Sequence, residues 1–214
     1  MTDLFPETAA PTSDIVDYRK TPVYRRETND WYVEPEWAVE ALIASESFVP
    51  GAVYDPACGG GTIPRVFARH GFRVLGSDIV DRNPDLPEGG FIGRDFLRDT
   101  ADGPIGRPDE RLHIVSNPPF KHAEAFARRA LGEANGKVAL LLPLAFLESE
   151  GRLALWRETP LTRVLVFGPR VSMPPGHLSK TMKTEGGKVA FAWFVWTTYA
   201  GPAVKPELGW LTRP

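Results

Sequence analysis

Two short stretches of this chain carry residue types whose spacing could do chemistry. Asn117-Pro118-Pro119-Phe120 follows an apolar run, Leu112 to Ser116, and so sits where a buried strand would end. Two prolines can neither extend a strand ladder nor continue a helix interior, so the step holds a rigid, extended corner. The corner offers an amide side chain, backbone carbonyls and an aromatic face, the groups needed to grip a planar amino group. Some sixty residues upstream, Asp55-Pro56-Ala57-Cys58-Gly59-Gly60-Gly61-Thr62 links an apolar run to an amphipathic one. Glycines there permit positive φ and close backbone approach to a ligand, and a helix amino terminus behind them favours a negative group. The next apolar run ends in Asp78, the place for a carboxylate that accepts from ribose hydroxyls.

The elements that must position these residues follow from periodicity. Pro35 fits a first helical turn, and Trp37, Leu42 and Ile43 form an apolar stripe that Pro50-Gly51 ends. Strands are expected at 52–55, 72–77, 91–94, 112–116, 137–142, 162–167 and 189–197, and helices at 61–70, 120–131 and 147–157. Apolar strands alternating with helices predict an α/β fold with a doubly wound, mainly parallel seven-stranded sheet. Residues 1–29 are polar and aperiodic and read as a loosely ordered arm, leaving one domain over 30–214 with a long loop at 168–188.

Composition sets further bounds. At 214 residues, 43% hydrophobic and 24% charged, the chain suits one globular domain. No apolar run approaches a membrane span, and the start lacks a basic, apolar signal pattern, so a cytoplasmic location is the default. The single cysteine, Cys58, excludes an internal disulfide and a cysteine-based zinc cluster, and is expected to pack beneath the glycine turn. The four histidines are spaced unlike metal ligands, with His113 a strand residue. Trp193, Phe194 and Trp196 are expected to fill a core. Charge is uneven: residues 1–120 carry 12 Lys+Arg and 20 Asp+Glu, net −8, against 13 and 7, net +6, for 121–214. That asymmetry points to an anionic partner for the second half.

Two cofactors suit a glycine turn followed by Asp78: a nicotinamide dinucleotide or S-adenosylmethionine. The dinucleotide fingerprint needs a third glycine where Pro64 stands. An acid at Asp55 would repel a pyrophosphate but attract the ammonium of a methionine moiety, so S-adenosylmethionine is the expected cofactor.

Together, Asp55 to Gly61 and Asn117 to Phe120 carry a specific resemblance. The pair is similar to the motifs of class I S-adenosylmethionine-dependent methyltransferases that act on exocyclic or amide nitrogen, and most resembles small phage-type adenine-N6 DNA methyltransferases, over about residues 30–197. The resemblance implies a Rossmann-like sheet with an antiparallel last strand. It implies cofactor contacts at Asp55, Ala57, Gly59, Gly61, Asp78 and Ile79, and at Asp95 and Phe96 in a third-strand motif, Gly93 to Leu97. Asp30 to Pro35 is similar to the segment that folds over the cofactor, where Trp31 and Tyr32 either cover it or pack the arm. Catalysis would fall to Asn117 and Pro118, whose oxygens accept from the amino group, with Pro119 stiffening the corner and Phe120 stacking on the ring.

The larger members of that family carry a target-recognition domain, for which this chain offers only 168–188. Arg163, Arg170, Lys180, Lys183 and Lys188 flank or occupy that loop, and Arg170, Lys180 and Lys183 are candidate substrate contacts to phosphate. DNA is the expected partner. RNA or a protein glutamine amide is the alternative acceptor, and a non-catalytic cofactor-binding module the rival from another class.

Overall fold

A computed structural model of the chain describes residues 30–86, 90–99, 106–179, 189–201 and 205–214. The expected arm 1–29 and the lysines Lys180, Lys183 and Lys188 lie outside the described residues.

The chain alternates as its periodicity requires: α1 (Glu36–Ser45), β1 (Ala52–Asp55), α2 (Thr62–Arg69), β2 (Arg73–Asp78), β3 (Phe91–Gly93), β4 (Leu112–Ser116), α3 (Ala123–Glu133), β5 (Lys137–Pro143), α4 (Leu153–Glu158), β6 (Leu161–Phe167), β7 (Phe191–Thr197) and β8 (Glu207–Leu211). One sheet runs β3-β2-β1-β4-β5-β7-β6-β8. β7 is antiparallel to both neighbours, and the other pairings are parallel.

Both faces of the sheet are covered, which is why its central strands are apolar at successive positions. Val53, Val115, Leu141, Trp193 and Val195 pack with Val39 and Leu42 of α1 and Val66 and Phe67 of α2. Tyr54, Ile114, Leu140, Phe194 and Trp196 pack on the opposite side with Phe126 and Ala130 of α3 and Leu155 of α4. The Trp193 and Trp196 indoles are wholly buried, and each donates, to the Ala38 carbonyl at 2.9 Å and to Thr159 Oγ1 at 3.0 Å.

Several differences from the sequence expectation have local causes. An eighth strand, β8, pairs with β6; its residues are mostly exposed and include Gly209, so no alternation marks it. The helix expected from 120 opens as a 3-10 turn, Phe120–His122, because Pro118 and Pro119 fix an extended entry. The helix expected at 147–157 shrinks to α4, preceded by 3-10 turns and by Ser149 at φ 134°. Arg163 does not flank the long loop. It lies near the start of β6, at the opposite sheet edge, where it donates to the Ser45 carbonyl at 2.6 Å and pairs with Glu46 at 3.3 Å.

The order of strands reverses between β1 and β4, and the carboxyl edge at such a switch is where α/β sheets bind ligands. Asp55 ends one of these strands and Asn117 follows the other.

Candidate active site

Asp55 sits at the floor of that crevice, 1% exposed. It accepts from Ser116 Oγ at 2.7 Å and from the Ala57 N–H at 3.0 Å, so its carboxyl spans the switch between β1 and β4. Burial pushes its pKa well above the usual carboxylate range, and the carboxylates of Glu34 and Asp78 push it further.

The glycine turn leaves β1 and enters α2. Gly59 has φ +51°, and a Cβ there would stand 2.8 Å from Trp31 Nε1. Gly61, at φ +82°, is the amino-terminal cap of α2. Cys58 is buried beneath the turn against Gly76, and burial raises its thiol pKa, as expected of a packing residue rather than a nucleophile. Asp78 closes β2 and holds the turn: one oxygen accepts from Gly59 N–H at 3.0 Å, the other from Val80 N–H at 3.0 Å and from Arg82 at 2.7 Å. The Arg82 guanidinium in turn lies 4.4 Å over the Trp31 ring.

Beyond Asp78, Ile79 leaves 59% of its surface exposed at the rim. Asp95 accepts from Leu97 N–H at 3.0 Å and faces Arg98 at 3.6 Å, while Phe96 is buried under the floor against Phe126.

Asn117 has an asymmetric environment. Its Nδ2 donates to the Tyr32 carbonyl and to Glu34 Oε2, both at 2.9 Å, and lies 3.8 Å from Met173 Sδ. Its Oδ1 is buried and has no hydrogen-bond partner among the described residues. Unpaired buried acceptors are uncommon and costly, so this one needs an explanation. Pro118 is buried, the Pro119 carbonyl accepts from His122 N–H at 2.9 Å, and Phe120 is half-buried with its ring parallel to that of Tyr32, centroids 6.3 Å apart.

The segment that carries Trp31, Tyr32 and Glu34 is tied down by the start of the long loop. Val33 N–H donates to the Pro174 carbonyl, Gly176 N–H donates to the Trp31 carbonyl, both at 3.0 Å, and Tyr32 bridges Pro175. The described part of that loop therefore packs on the site instead of standing free.

These residues enclose a cavity of about 350 Å3. Of the residues expected from sequence, Trp31, Tyr32, Ala57, Gly59, Asp78, Ile79, Asp95, Phe96, Asn117 and Pro119 line it. Asp55, Gly61, Pro118 and Phe120 adjoin lining residues without lining it themselves, and Arg170 is exposed on the loop after β6. Sequence reasoning missed Glu34, Thr62, Arg82 and His122, which also line the cavity. Glu34 had one signal, its place between the aromatic pair and Pro35, and Thr62 had its place at the end of the glycine turn; Arg82 and His122 had none.

No family model matches the chain. A ribosomal RNA small subunit methyltransferase C from Alcanivorax borkumensis is 34% identical over 94 residues, which is 40% of this chain and 28% of that protein. The match thus spans under a third of that relative. Among solved structures, a modification subunit of a putative type I restriction enzyme from Vibrio vulnificus superposes with a TM-score of 0.57 at 17% identity, over 86% of this chain and 48% of its own. A putative RNA methyltransferase from Pyrococcus horikoshii superposes with a TM-score of 0.56 at 15% identity, over 79% of this chain and 88% of its own.

The fold is that of the class I methyltransferases. In that fold the cavity residues fit S-adenosylmethionine. Asp55 would offer a buried carboxyl to a cationic amino-acid end, Asp78 a carboxylate to ribose hydroxyls, and exposed Ile79 an apolar surface to a flat base. Among the described residues no cluster of His, Cys, Asp and Glu could hold a metal ion, and no helix is long and apolar enough to cross a membrane.

Proposed function

We propose that the chain transfers a methyl group from S-adenosylmethionine to the exocyclic amino group of a nucleobase, with adenine N6 in DNA as the preferred acceptor. The observation that carries this reading is the buried Oδ1 of Asn117, a residue that lines the cavity, unpartnered among the described residues while the other end of the same amide is tied down twice. An acceptor held this way awaits a donor, and an NH2 group supplies one.

The cofactor would be held by Asp55, the glycine turn and Asp78, and when bound it supplies an electrophilic methyl on a sulfonium leaving group. The chain's own residues deal with the nucleophile, whose lone pair is delocalised into its ring. Asn117 Oδ1 and the Pro118 carbonyl accept the two amino hydrogens, draw the nitrogen out of the ring plane and aim its lone pair. Phe120 presents a face for stacking on the ring. The nitrogen, cationic once methylated, would then lose its surplus proton to solvent, so positioning and preorganised acceptors provide the catalysis without a strong base. A base within duplex DNA would first be flipped into the cavity. Arg170, Lys180 and Lys183 would meet phosphates.

A second reading, RNA as acceptor, is favoured by one observation. The curated relative is by name a ribosomal RNA methyltransferase, whereas the Vibrio neighbour is a restriction-modification subunit. Transfer of labelled methyl from S-adenosylmethionine to unmethylated DNA, RNA and a protein lysate in parallel tests the proposal. Label in DNA, lost in Asn117→Ala, is the expected result. Label in RNA alone selects the second reading, and label only in protein moves the acceptor to an amide. No label in any arm, with no cofactor binding by calorimetry, overturns both.

A further inference from the structure

An asparagine amide has two ends of nearly equal size, and only one of them suits an amino group. If Nδ2 faced the cavity, donor would meet donor. Which end faces inward is decided by the partners of the other end. Here there are two at 2.9 Å, the Tyr32 carbonyl and Glu34 Oε2. A backbone carbonyl accepts under all conditions. A carboxyl group accepts without donating only when ionised.

Resting on the methyltransferase reading above, we infer that Glu34 is a positioning residue for the transfer: its carboxylate fixes the Asn117 amide so that Oδ1, and not Nδ2, meets the target amino group. Glu34 is 7% exposed and lies at the turn into α1, just before Pro35. A neutral acceptor would hold the amide with less strain, because burial resists ionisation there and raises the Glu34 pKa to about 7. The gain from a carboxylate is polarity of one sign: it cannot donate to Oδ1. Once protonated, its O–H competes for Oδ1 and works against the Tyr32 contact, so the acid form loosens the amide.

The groups around Glu34 set the balance. Asn117, Thr62 and Arg65 favour its ionised form, whereas the Asp55 carboxylate opposes it. Asp78 and Arg82 beyond β2, Asp95 and Arg98 after β3, and His122 before α3 line the same cavity. The limb in kcat therefore belongs near pH 7.

Glu34→Gln tests the inference, since its amide has the same shape but can donate to Oδ1. The expected result is a fall in kcat of about tenfold or more, with cofactor Kd changed less than about threefold. The wild-type kcat should fall with acid as one group protonates, and that limb should vanish in the variant. Without cofactor, the side-chain NH2 resonance of Asn117 should titrate near pH 7 in the wild type and not in Glu34→Gln. A Kd that weakens as much as kcat would make Glu34 a cofactor ligand and overturn the inference. Unchanged kcat with an unchanged pH profile would do so too. If Asn117→Ala abolishes transfer while Glu34→Gln keeps it, only this inference fails; if Asn117→Ala keeps it, the proposed function fails first.

Discussion

The two edges of the sheet treat buried charge in opposite ways. At the amino edge, Glu46 is almost wholly buried and pairs with both Lys137 and Arg163, and the neutral ring of His113 is satisfied at both nitrogens. Its Nε2 bonds the Val49 carbonyl and its Nδ1 accepts from the Lys137 N–H, both at 2.9 Å. At the carboxyl edge, Glu34 and Asp55 are equally buried, yet among the described residues neither forms an ion pair, and the Asn117 Oδ1 beside them has no partner. Both edges belong to one sheet over one core, so size and hydrophobicity do not separate them. Charge compensation does. Arg163 Nε also lacks a partner among the described residues, but its guanidinium is engaged through its other nitrogens and neutralises Glu46; buried carboxyls left without a cation mark a place for something else to bind.

Removing the open acceptor should give the largest effect. Asn117→Ala is expected to lower single-turnover methyl transfer by a factor on the order of a hundred to a thousand, the scale for losing a preorganised contact to the reacting group. The two Nδ2 bonds, to the Tyr32 carbonyl and to Glu34, go with the side chain, so stability should fall by only about 1 to 3 kcal/mol, the scale for leaving buried acceptors unsatisfied. A variant that unfolded as Asn117→Ala would show that the amide serves the fold, and the contrast between edges would collapse.

The closed edge should respond the other way. Lys137→Met strips Glu46 of its closest cation while leaving Arg163 at 3.3 Å. Breaking a buried pair from one side costs about 3 to 5 kcal/mol, readable in urea unfolding. The turnover of the protein that stays folded should remain that of the wild type. Lost turnover at full stability would mean that the amino edge reaches the site.

The contrast was only half legible in the sequence. Asp55 and Asn117 are polar residues that end apolar runs, and strand periodicity alone sends them to the carboxyl edge. Asp78 was legible for the same reason. Glu34 was not, because an acid before a proline in a loop reads as solvated. Its burial depends on the Val33 to Pro174 bond and the Tyr32 bridge to Pro175, contacts across some 140 residues that no local pattern encodes. Arg163 shows the converse error. Its number lies near the long loop, but β6 runs four residues further before that loop begins, which puts the side chain at the far edge. β8 escaped because an exposed edge strand needs no apolar face.

pH should sharpen the comparison next. Glu34 has a folded pKa near 7 against an ordinary value of 4.5, so the native state binds its proton more tightly than the unfolded chain does. Its contribution is therefore complete in acid and is lost as pH rises through about 7, a change of roughly 3 kcal/mol. Asp55 shifts in the same direction and adds to the slope. Unfolding free energies between pH 5 and 8 should thus decline in the cofactor-free protein, and Glu34→Gln should flatten the decline. A cationic cofactor would favour the charged form of Asp55, so its binding should release protons and tighten with rising pH, measurable by calorimetry in buffers of different ionisation enthalpy. Stability that rose with pH over this window would place the strained carboxyls elsewhere.

The smallest effect should come from the contact that closes the cavity, and it decides between the two roles open to Trp31. A Cβ on Gly176 would lie 2.1 Å from Trp31 Cδ2, closer than any relaxed contact, and the indole cannot yield on its other side because Gly59 stands against Nε1. Gly176→Ala must therefore move the ring off the turn and away from Arg82, which stacks on it and holds Asp78. If Trp31 covers the cofactor, the displaced ring should weaken cofactor binding by about tenfold, near the 1 to 2 kcal/mol of a partly desolvated cation–π and stacking contact. Melting temperature should then fall little without cofactor, and the rise on adding cofactor should shrink. If Trp31 only packs the segment onto the long loop, the order reverses: the cofactor-free protein loses stability and the affinity of what remains folded is unchanged. Only the first outcome assigns the ring to the open edge, because only there is a partner still to arrive.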